Sequence, residues 1–212
     1  MVPDLGNGLK TIPLPPHLGW GHGLVLRRRT LGEADLALEV FFLRRGILEY
    51  IVRRGALANA PQKAALDPPA LTFFRFQWLS GERVRGNSWS AVAPFPQARK
   101  YPSLVLEICH SLSSYLPRGW WEATLFRVAL QALQDLEKGL PPKEVHLFFR
   151  LGFLTATGHS PKHLLPHGFP LKTALHRPQS EERSLLEKVA EEIWMKTMGS
   201  PIFQSKKSSL LP

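Results

Sequence analysis

The sequence contains very little cysteine and no long hydrophobic run. Cys109 is the single cysteine among 212 residues, which excludes an intramolecular disulfide and any zinc site built from several cysteines. No apolar stretch approaches the ~18 residues of a membrane-spanning helix. The N-terminus also lacks the basic region and apolar core of a secretory signal peptide. We therefore expect a cytoplasmic protein that has no membrane partner.

Recognisable catalytic motifs are missing as well. The chain contains no G-x-S-x-G nucleophile turn, no P-loop and no G-x-G-x-x-G dinucleotide fingerprint. One acid pair, Glu33 and Asp35, has the spacing of a general acid/base or metal-binding pair, but it lies in a segment dominated by arginine. An ion-paired turn that holds arginines apart is the better interpretation. The sequence therefore predicts a protein that is not an enzyme.

Four histidines near the C-terminus, His159, His163, His167 and His176, form another candidate ligand set. Pro161 separates the first two and opposes a shared helix face, and no cysteine or carboxylate accompanies them. We predict no bound metal and no other cofactor. An enzyme built on this segment is the alternative, and elemental analysis of the purified protein would detect its metal.

A large positive charge is the most informative property that the sequence does have. Lysine and arginine number 27 against 17 aspartate and glutamate, which gives a formal net charge of +10. The first hundred residues alone hold 14 basic and 7 acidic side chains. Such an excess suits a polyanion, above all nucleic acid. A merely solvated basic surface is the alternative, and it would not show the steep loss of affinity with salt that backbone binding shows.

From residue 19 to residue 95 the hydrophobic pattern favours β-strands. The segment LTFFRFQWL alternates, so that every second side chain from Thr72 to Trp78 lies on one face of a strand. About five such segments, joined by short turns and one longer link at 56–69, are typical of a small closed barrel of the OB type. Residues 1–18, rich in proline and glycine, are interpreted as a flexible N-terminal arm.

After residue 96 the period changes to that of helices. Apolar residues recur at helical spacing in three segments within about 102–158, and a last helix begins after Ser180 and ends at Gly199. We expect 96–199 to form a helical domain with an irregular part at 159–179, followed by a flexible tail at 200–212. The predicted fold class is therefore α+β, an N-terminal five-stranded OB-type β-barrel followed by an all-α domain.

Arginines concentrate at the ends and on one face of the predicted strands. Their planar guanidinium groups bind phosphate through paired, charge-assisted hydrogen bonds, and their spread over several strands suits a nucleic-acid backbone. Phe73 shares an outward face with Arg75, so its ring is a candidate for stacking on a base, with core packing as the alternative. The candidate DNA-binding residues are Arg27, Arg28, Arg29, Arg44, Arg45, Arg53, Arg54, Phe73, Arg75, Arg83 and Arg85.

The segment from residue 23 to residue 56 carries a family resemblance. It resembles the N-terminal segment of the RecO family of bacterial recombination mediators, in which a strand, a G-E-x-D turn, an apolar strand, a glycine turn and a basic-Gly-Ala element follow one another. The corresponding residues are Val25-Leu26, Gly32-Glu33-Asp35, Gly46 and Arg54-Gly55-Ala56. Further segments resemble the family in the same order as far as Pro161, namely LDPPALTFFRFQ, YPSLVLEICHSL, LFRVALQALQDLEKG and FFRLGFLTATGHSP.

The resemblance implies a role in recombinational DNA repair. Members of that family have an OB fold followed by a helical domain, bind single- and double-stranded DNA, and anneal complementary strands. They act with RecR and single-strand-binding protein to load RecA. The implied partners are therefore DNA, a RecR-like mediator, a single-strand-binding protein and a RecA-type recombinase. The implied location is the nucleoid of the cytoplasm.

The chain departs from the family pattern in two places that bear on its sites. Many relatives carry a cysteine zinc module after the Gly-x-x-Pro element, whereas this chain has KHLLPHGFPLKTALHRP there, so we expect no structural zinc. The family's basic-Gly-Ala-Arg-Arg element becomes RRGALANAPQK, which shifts the expected DNA contacts toward Arg27–Arg29 and Arg44–Arg45.

We therefore expect a DNA-binding recombination mediator that promotes strand annealing and recombinase loading. Two alternatives remain at this point. One is a protein-protein adaptor of a repair complex with incidental nucleic-acid affinity, and the other is a general single-stranded nucleic-acid-binding protein. An adaptor would keep its function after charge reversal in the barrel, whereas a mediator would lose it.

Overall fold

The computed structural model describes residues 18–55, 60–159 and 181–198. The expected N-terminal arm up to residue 17, the histidines beyond His159, the cap at Ser180 and the C-terminal tail lie outside the described residues.

Five β-strands form a closed barrel at the N-terminal end, as the alternating pattern predicts. They are β1 (Leu18–Leu31), β2 (Asp35–Phe42), β3 (Gly46–Val52), β4 (Ala70–Ser80) and β5 (Arg83–Ala93). Their order around the barrel is β1-β2-β3-β5-β4, with β4 returning to pair with β1. The β3–β5 pair is parallel and the other four pairs are antiparallel. Gly32 has a φ of +61° and forms the β1–β2 turn, in agreement with the interpretation of that segment as a turn.

The barrel interior is filled by large rings, and glycines on β1 make room for them. Tyr50, Phe42, Phe74 and Phe76 are fully buried inside the barrel. A Cβ atom on Gly19 would overlap the ring of Phe76, so a side chain does not fit at that inward position. The small barrel therefore reaches close packing by combining aromatic rings on β2, β3 and β4 with bare backbone on β1.

A short helix lies in the link between β3 and β4, where the sequence pattern predicts no secondary structure. This helix, α1 (Ala60–Ala64), has one and a half turns, too short for hydrophobic periodicity to be visible. Its C-terminal neighbours Ala65 and Leu66 are buried, and Leu66 belongs to the barrel core. The segment therefore closes one end of the barrel, which is the reason that it is ordered.

In the part of the chain that the structure describes, four α-helices follow the barrel, and the three-helix block predicted at about 102–158 is confirmed. They are α2 (Pro102–Tyr115), α3 (Ala123–Glu137), α4 (Pro142–Ala156) and α5 (Glu181–Met198). Prolines open α2 and α4 in the first turn, where no intrahelical N–H is required. The side chain of Glu122 caps α3 by accepting a hydrogen bond from the backbone N–H of Thr124 at 2.9 Å. Gly139, with a φ of +82°, follows the end of α3 as expected.

One side of the outer barrel wall is buried under the helices. Leu24, Phe41 and Ile47 point outward from their strands and join one hydrophobic core with α2, α3 and α4. The ring centroid of Phe41 lies 5.3 Å from that of Phe126 on α3, in an edge-to-face arrangement. The barrel and the helical block therefore share a core, and this block leaves the rest of the outer barrel wall uncovered within the described ranges. None of the described helices has the length and apolarity needed to cross a bilayer.

Candidate nucleic-acid interface

Three ring side chains project outward from the uncovered barrel wall. Trp20 and His22 lie on β1, and Phe73 lies on β4 directly opposite His22. The ring centroid of Phe73 is 6.0 Å from that of Trp20 and 5.2 Å from that of His22. Trp20 is 41% exposed, while the other two rings are half-buried. We call these three residues the aromatic patch. Their rings face solvent and belong to neither hydrophobic core cluster.

The local sequence GWGHG explains why the aromatic patch faces outward. Successive side chains of a strand point to opposite faces, so the three glycines take the inward positions and the two rings take the outward ones. A Cβ on Gly23 would overlap Val40, which excludes the alternative register in which the rings point inward. The outward direction of Trp20 and His22 is therefore a consequence of the packed interior.

Arg75 adds a positive charge at the edge of the aromatic patch. It is exposed and lies directly opposite Trp20 across β4 and β1. The hydroxyl of Tyr50 lies 3.0 Å from the carbonyl oxygen of Arg75 and 3.1 Å from that of Ser88, at an irregularity in the β4–β5 pairing. Gly86 leaves the space for the Tyr50 ring, and the buried hydroxyl thereby holds the backbone that carries Arg75.

A second arginine extends the positive charge from Arg75 onto the neighbouring strand. Arg85 on β5 pairs with Gln77, which is two residues beyond Arg75 on β4, and all three side chains point outward. Within the described ranges no carboxylate forms an ion pair with Arg75 or Arg85. Their guanidinium groups are therefore available for phosphate.

Two other candidate arginines are held by a buried carboxylate. Glu49 on β3 is only 7% exposed, and it binds Arg29 from β1 and Arg83 from β5, the latter with 2.6 Å between Nε and Oε2. Burial alone would raise the pKa of Glu49, but the hydrogen bonds and charges of the two guanidinium groups outweigh it and lower the pKa. Glu49 therefore remains ionised and neutralises part of the charge that the sequence assigns to DNA binding.

Arg27 lies opposite a second acid, which is half-buried. Arg27 on β1 pairs with Glu39 on β2, and Glu39 in turn pairs with Glu49 on β3. Burial raises the pKa of Glu39, and the charges of Arg27 and Arg118 only partly compensate. Arg28, by contrast, points toward the barrel end and forms an ion pair with Asp67. The Arg27–Arg29 run therefore contributes less free charge than its sequence suggests.

The arginines before and after β3 lie at opposite ends of the barrel, since consecutive turns of antiparallel strands alternate between ends. Arg44 and Arg45 form the β2–β3 turn, and the guanidinium of Arg45 lies over the rings of Phe76 and Trp78, 5.6 Å and 5.9 Å from their centroids. Arg53 and Arg54 follow β3 at the other end, near the β1–β2 turn. The eleven candidates do not therefore form one contiguous site.

The acid pair that the sequence analysis assigns to an ion-paired turn makes a different contact. Asp35 accepts a hydrogen bond from the backbone N–H of Arg54 at 2.8 Å, and not from a guanidinium. Arg54 has a φ of +52°, so this bond holds a turn residue in the left-handed region. Asp35 is thus a structural residue that joins the β1–β2 turn to the end of β3.

The aromatic patch includes two residues that are absent from the sequence-based candidates. Trp20 and His22 belong with Phe73 and Arg75, and the alternation of glycine with rings in GWGHG is the signal that identifies them. Trp89 on β5 packs against the barrel core, and its indole N–H donates to the carbonyl oxygen of Gln62 at 3.3 Å.

Among the described residues no group of three or more histidine, cysteine or carboxylate side chains has the arrangement of a metal site. Burial raises the pKa of the Cys109 thiol to about 12, so this cysteine is not a reactive thiolate.

Comparison of the chain with protein-family models and with curated proteins finds no match to either.

Proposed function

We propose that this protein binds single-stranded DNA on the uncovered wall of its barrel and promotes the annealing of complementary strands. One observation carries the proposal. Trp20, His22 and Phe73 expose ring surface beside Arg75, whose charge has no carboxylate partner among the described residues. Stacking rings next to free guanidinium groups are the two components that single-strand binding requires.

The two components act on different parts of the nucleic acid. A base stacks on Trp20 or Phe73 through its π-face, which every base has, so the contact is tolerant of sequence. Burial lowers the pKa of His22, so its imidazole is neutral at pH 7 and adds ring surface without charge. Arg75 and Arg85 then pair with phosphates and release counterions, which makes the binding salt-dependent.

The architecture supports assignment of the barrel to the OB type. It has five strands, β1 pairs with both β2 and β4, and the short helix α1 lies between β3 and β4. OB folds are five-stranded Greek-key barrels that bind oligonucleotides on their outer surface. A ring-bearing outer wall is consistent with that use of the fold.

The assignment to recombination rests on the sequence resemblance to the RecO family and not on the site. Annealing itself needs no catalytic group, because a basic surface that neutralises two phosphate backbones reduces the repulsion between them. The proposed partners are therefore DNA, a RecR-like mediator, a single-strand-binding protein and a RecA-type recombinase. A general single-stranded nucleic-acid-binding protein would bind strands equally well but would not accelerate their annealing.

Fluorescence anisotropy with labelled oligothymidylate over a salt series tests the proposal. We expect the Trp20→Ala/Phe73→Ala variant to bind more weakly by about 1–3 kcal/mol per lost stacking contact. The Arg75→Ala/Arg85→Ala variant should instead reduce the slope of affinity against salt by roughly 0.7 per lost phosphate contact. The two variants thereby separate stacking from charge.

A matched control is available on the helices. Arg127→Ala/Lys188→Ala removes the same two positive charges from exposed positions on α3 and α5, away from the aromatic patch. It should change the affinity by less than about threefold, through the long-range field alone. Equal losses in the control and in the Arg75/Arg85 variant would show that only net charge matters and would overturn the proposed site.

A further inference from the structure

Two adjacent tryptophans project into solvent between α2 and α3. Trp120 is 66% exposed and Trp121 is 50% exposed. Tryptophan is highly buried on average, and two exposed tryptophans in succession form a patch of ring surface. We call these residues the tryptophan pair.

The loop that carries the tryptophan pair is fixed to the barrel. Arg118 forms a parallel bridge with Ile47 at the start of β3, and the N–H of Gly119 donates to the carbonyl oxygen of Ile47 at 3.1 Å. The backbone of Trp120 lies so close to Gly46 that a Cβ there would overlap its carbonyl group. The tryptophan pair is therefore presented on a rigid backbone, which reduces the entropy lost when a ligand binds.

This attachment places the tryptophan pair beside the arginines of the β2–β3 turn. Arg44 and Arg45 immediately precede Gly46, and both are exposed. On the other side of the same turn, the N–H of Leu43 donates to the carbonyl oxygen of His22 at 3.1 Å, which joins the turn to the aromatic patch. Around this rim the order is therefore aromatic patch, turn arginines, tryptophan pair.

We infer that the tryptophan pair is a second stacking station for the same single strand, with the turn arginines between the two stations. The inference rests on the proposed function, because it extends the path of the strand from the aromatic patch. The path crosses from β4 over β1 and β2 to β3, or three spacings of about 4.8 Å, a distance that an extended strand of several nucleotides covers.

The local charge favours a polyanion as the occupant of the tryptophan pair. Arg44 and Arg45 supply two positive charges, and Arg118 supplies a third that is shared with Glu39. Two acidic side chains lie near the loop: Glu122, which directly follows Trp121 and caps α3, and Glu82, with its Oε1 3.7 Å from the position of a Cβ on Gly119. Glu82→Gln should therefore strengthen binding of the strand, since it removes an opposing charge.

Two lengths of oligothymidylate, about two and about fifteen nucleotides, separate the two stations, because two nucleotides are too short to cover the three strand spacings between them. The Trp120→Ala/Trp121→Ala variant should bind the long strand roughly 10- to 100-fold more weakly and the short strand within about threefold of wild type. A short strand still has the aromatic patch, whereas a long strand loses one of its two stations. The Trp120→Phe/Trp121→Phe variant should recover most of the long-strand affinity, because phenylalanine also stacks.

The control variant removes equivalent apolar surface elsewhere. Leu106→Ala/Met195→Ala shortens two side chains that are 69% and 62% exposed on α2 and α5 and should leave both affinities unchanged. If wild type binds both lengths and the tryptophan variant binds them equally well, the inference is wrong and the pair is a surface for another protein. If wild type binds neither length, the proposed function itself fails.

Discussion

Arg83 donates from its Nε to the Oε2 of Glu49 across β5 and β3, with 2.6 Å between the two atoms. The other oxygen of Glu49 accepts from Arg29, so one buried carboxylate joins three strands of the barrel. Two arginines with the sequence signature of a DNA contact are therefore partners in an ion-pair network. This relationship separates the arginines that hold the barrel together from those available to a ligand.

The first prediction concerns the substitution Glu49→Gln. Charge-assisted hydrogen bonds contribute about 1.5–3 kcal/mol when shielded, and the exposure of both arginines reduces that value. We expect the free energy of unfolding in urea to fall by about 1–2 kcal/mol. Affinity for single-stranded DNA should rise, because Arg29 and Arg83 become free for phosphate. Weaker DNA binding by a folded variant would contradict the separation of structural from available arginines.

The second prediction uses the neighbouring acid, Glu39, and has the opposite sign. Its pKa is raised, chiefly by burial, so the charged form is disfavoured in the folded state. A carboxyl whose pKa is raised on folding lowers stability as the pH rises through its folded value. Glu39→Gln should therefore stabilise the protein at pH 7, and the gain should shrink as the pH falls below the folded value and disappear below the ordinary pKa of a glutamate. Urea unfolding at a series of pH values measures both trends.

The third prediction compares two glycines of β1. Gly23→Ala introduces a Cβ that overlaps Val40, and we expect a loss of about 1–3 kcal/mol in stability from overpacking. Gly21→Ala is the matched control, because its Cβ would lie 3.6 Å from Phe42, an ordinary contact. Thermal unfolding of both variants tests the account of GWGHG. Equal destabilisation of the two would mean that the inward direction of the glycines is assigned incorrectly.

The fourth prediction concerns the shared core of barrel and helices. Phe41 and Phe126 pack edge to face, so Phe41→Leu and Phe126→Leu should be coupled by about 0.5–1.5 kcal/mol in a double-mutant cycle. The pair Phe41 and Val84 offers a comparison, since the two side chains belong to different core clusters on strands that do not pair, so their effects should be additive. Additivity of the first pair would indicate that the helices do not stabilise the barrel through this contact.

The local hydrophobic pattern was sufficient to predict the strands, the longer helices and the direction of the β4 side chains. The alternation of LTFFRFQWL predicted the inward and outward faces of β4, and helical spacing predicted α2, α3 and α4. The short helix α1 was missed, because five residues stabilised by the closing of a barrel end show no periodicity of their own. Phe73 could be placed outward from sequence, but its neighbours Trp20 and His22 became visible only through the pairing of β1 with β4.

The sequence by itself determined the order of barrel and helices and the positive charge, because these depend on residue type and on a period of a few residues. The tertiary structure decided which arginines are available. Glu49 meets Arg29 and Arg83 across separations of 20 and 34 residues, and such contacts depend on strand register and barrel closure. The same holds for the tryptophan pair, which lies beside the β2–β3 turn only because its loop bridges to Ile47.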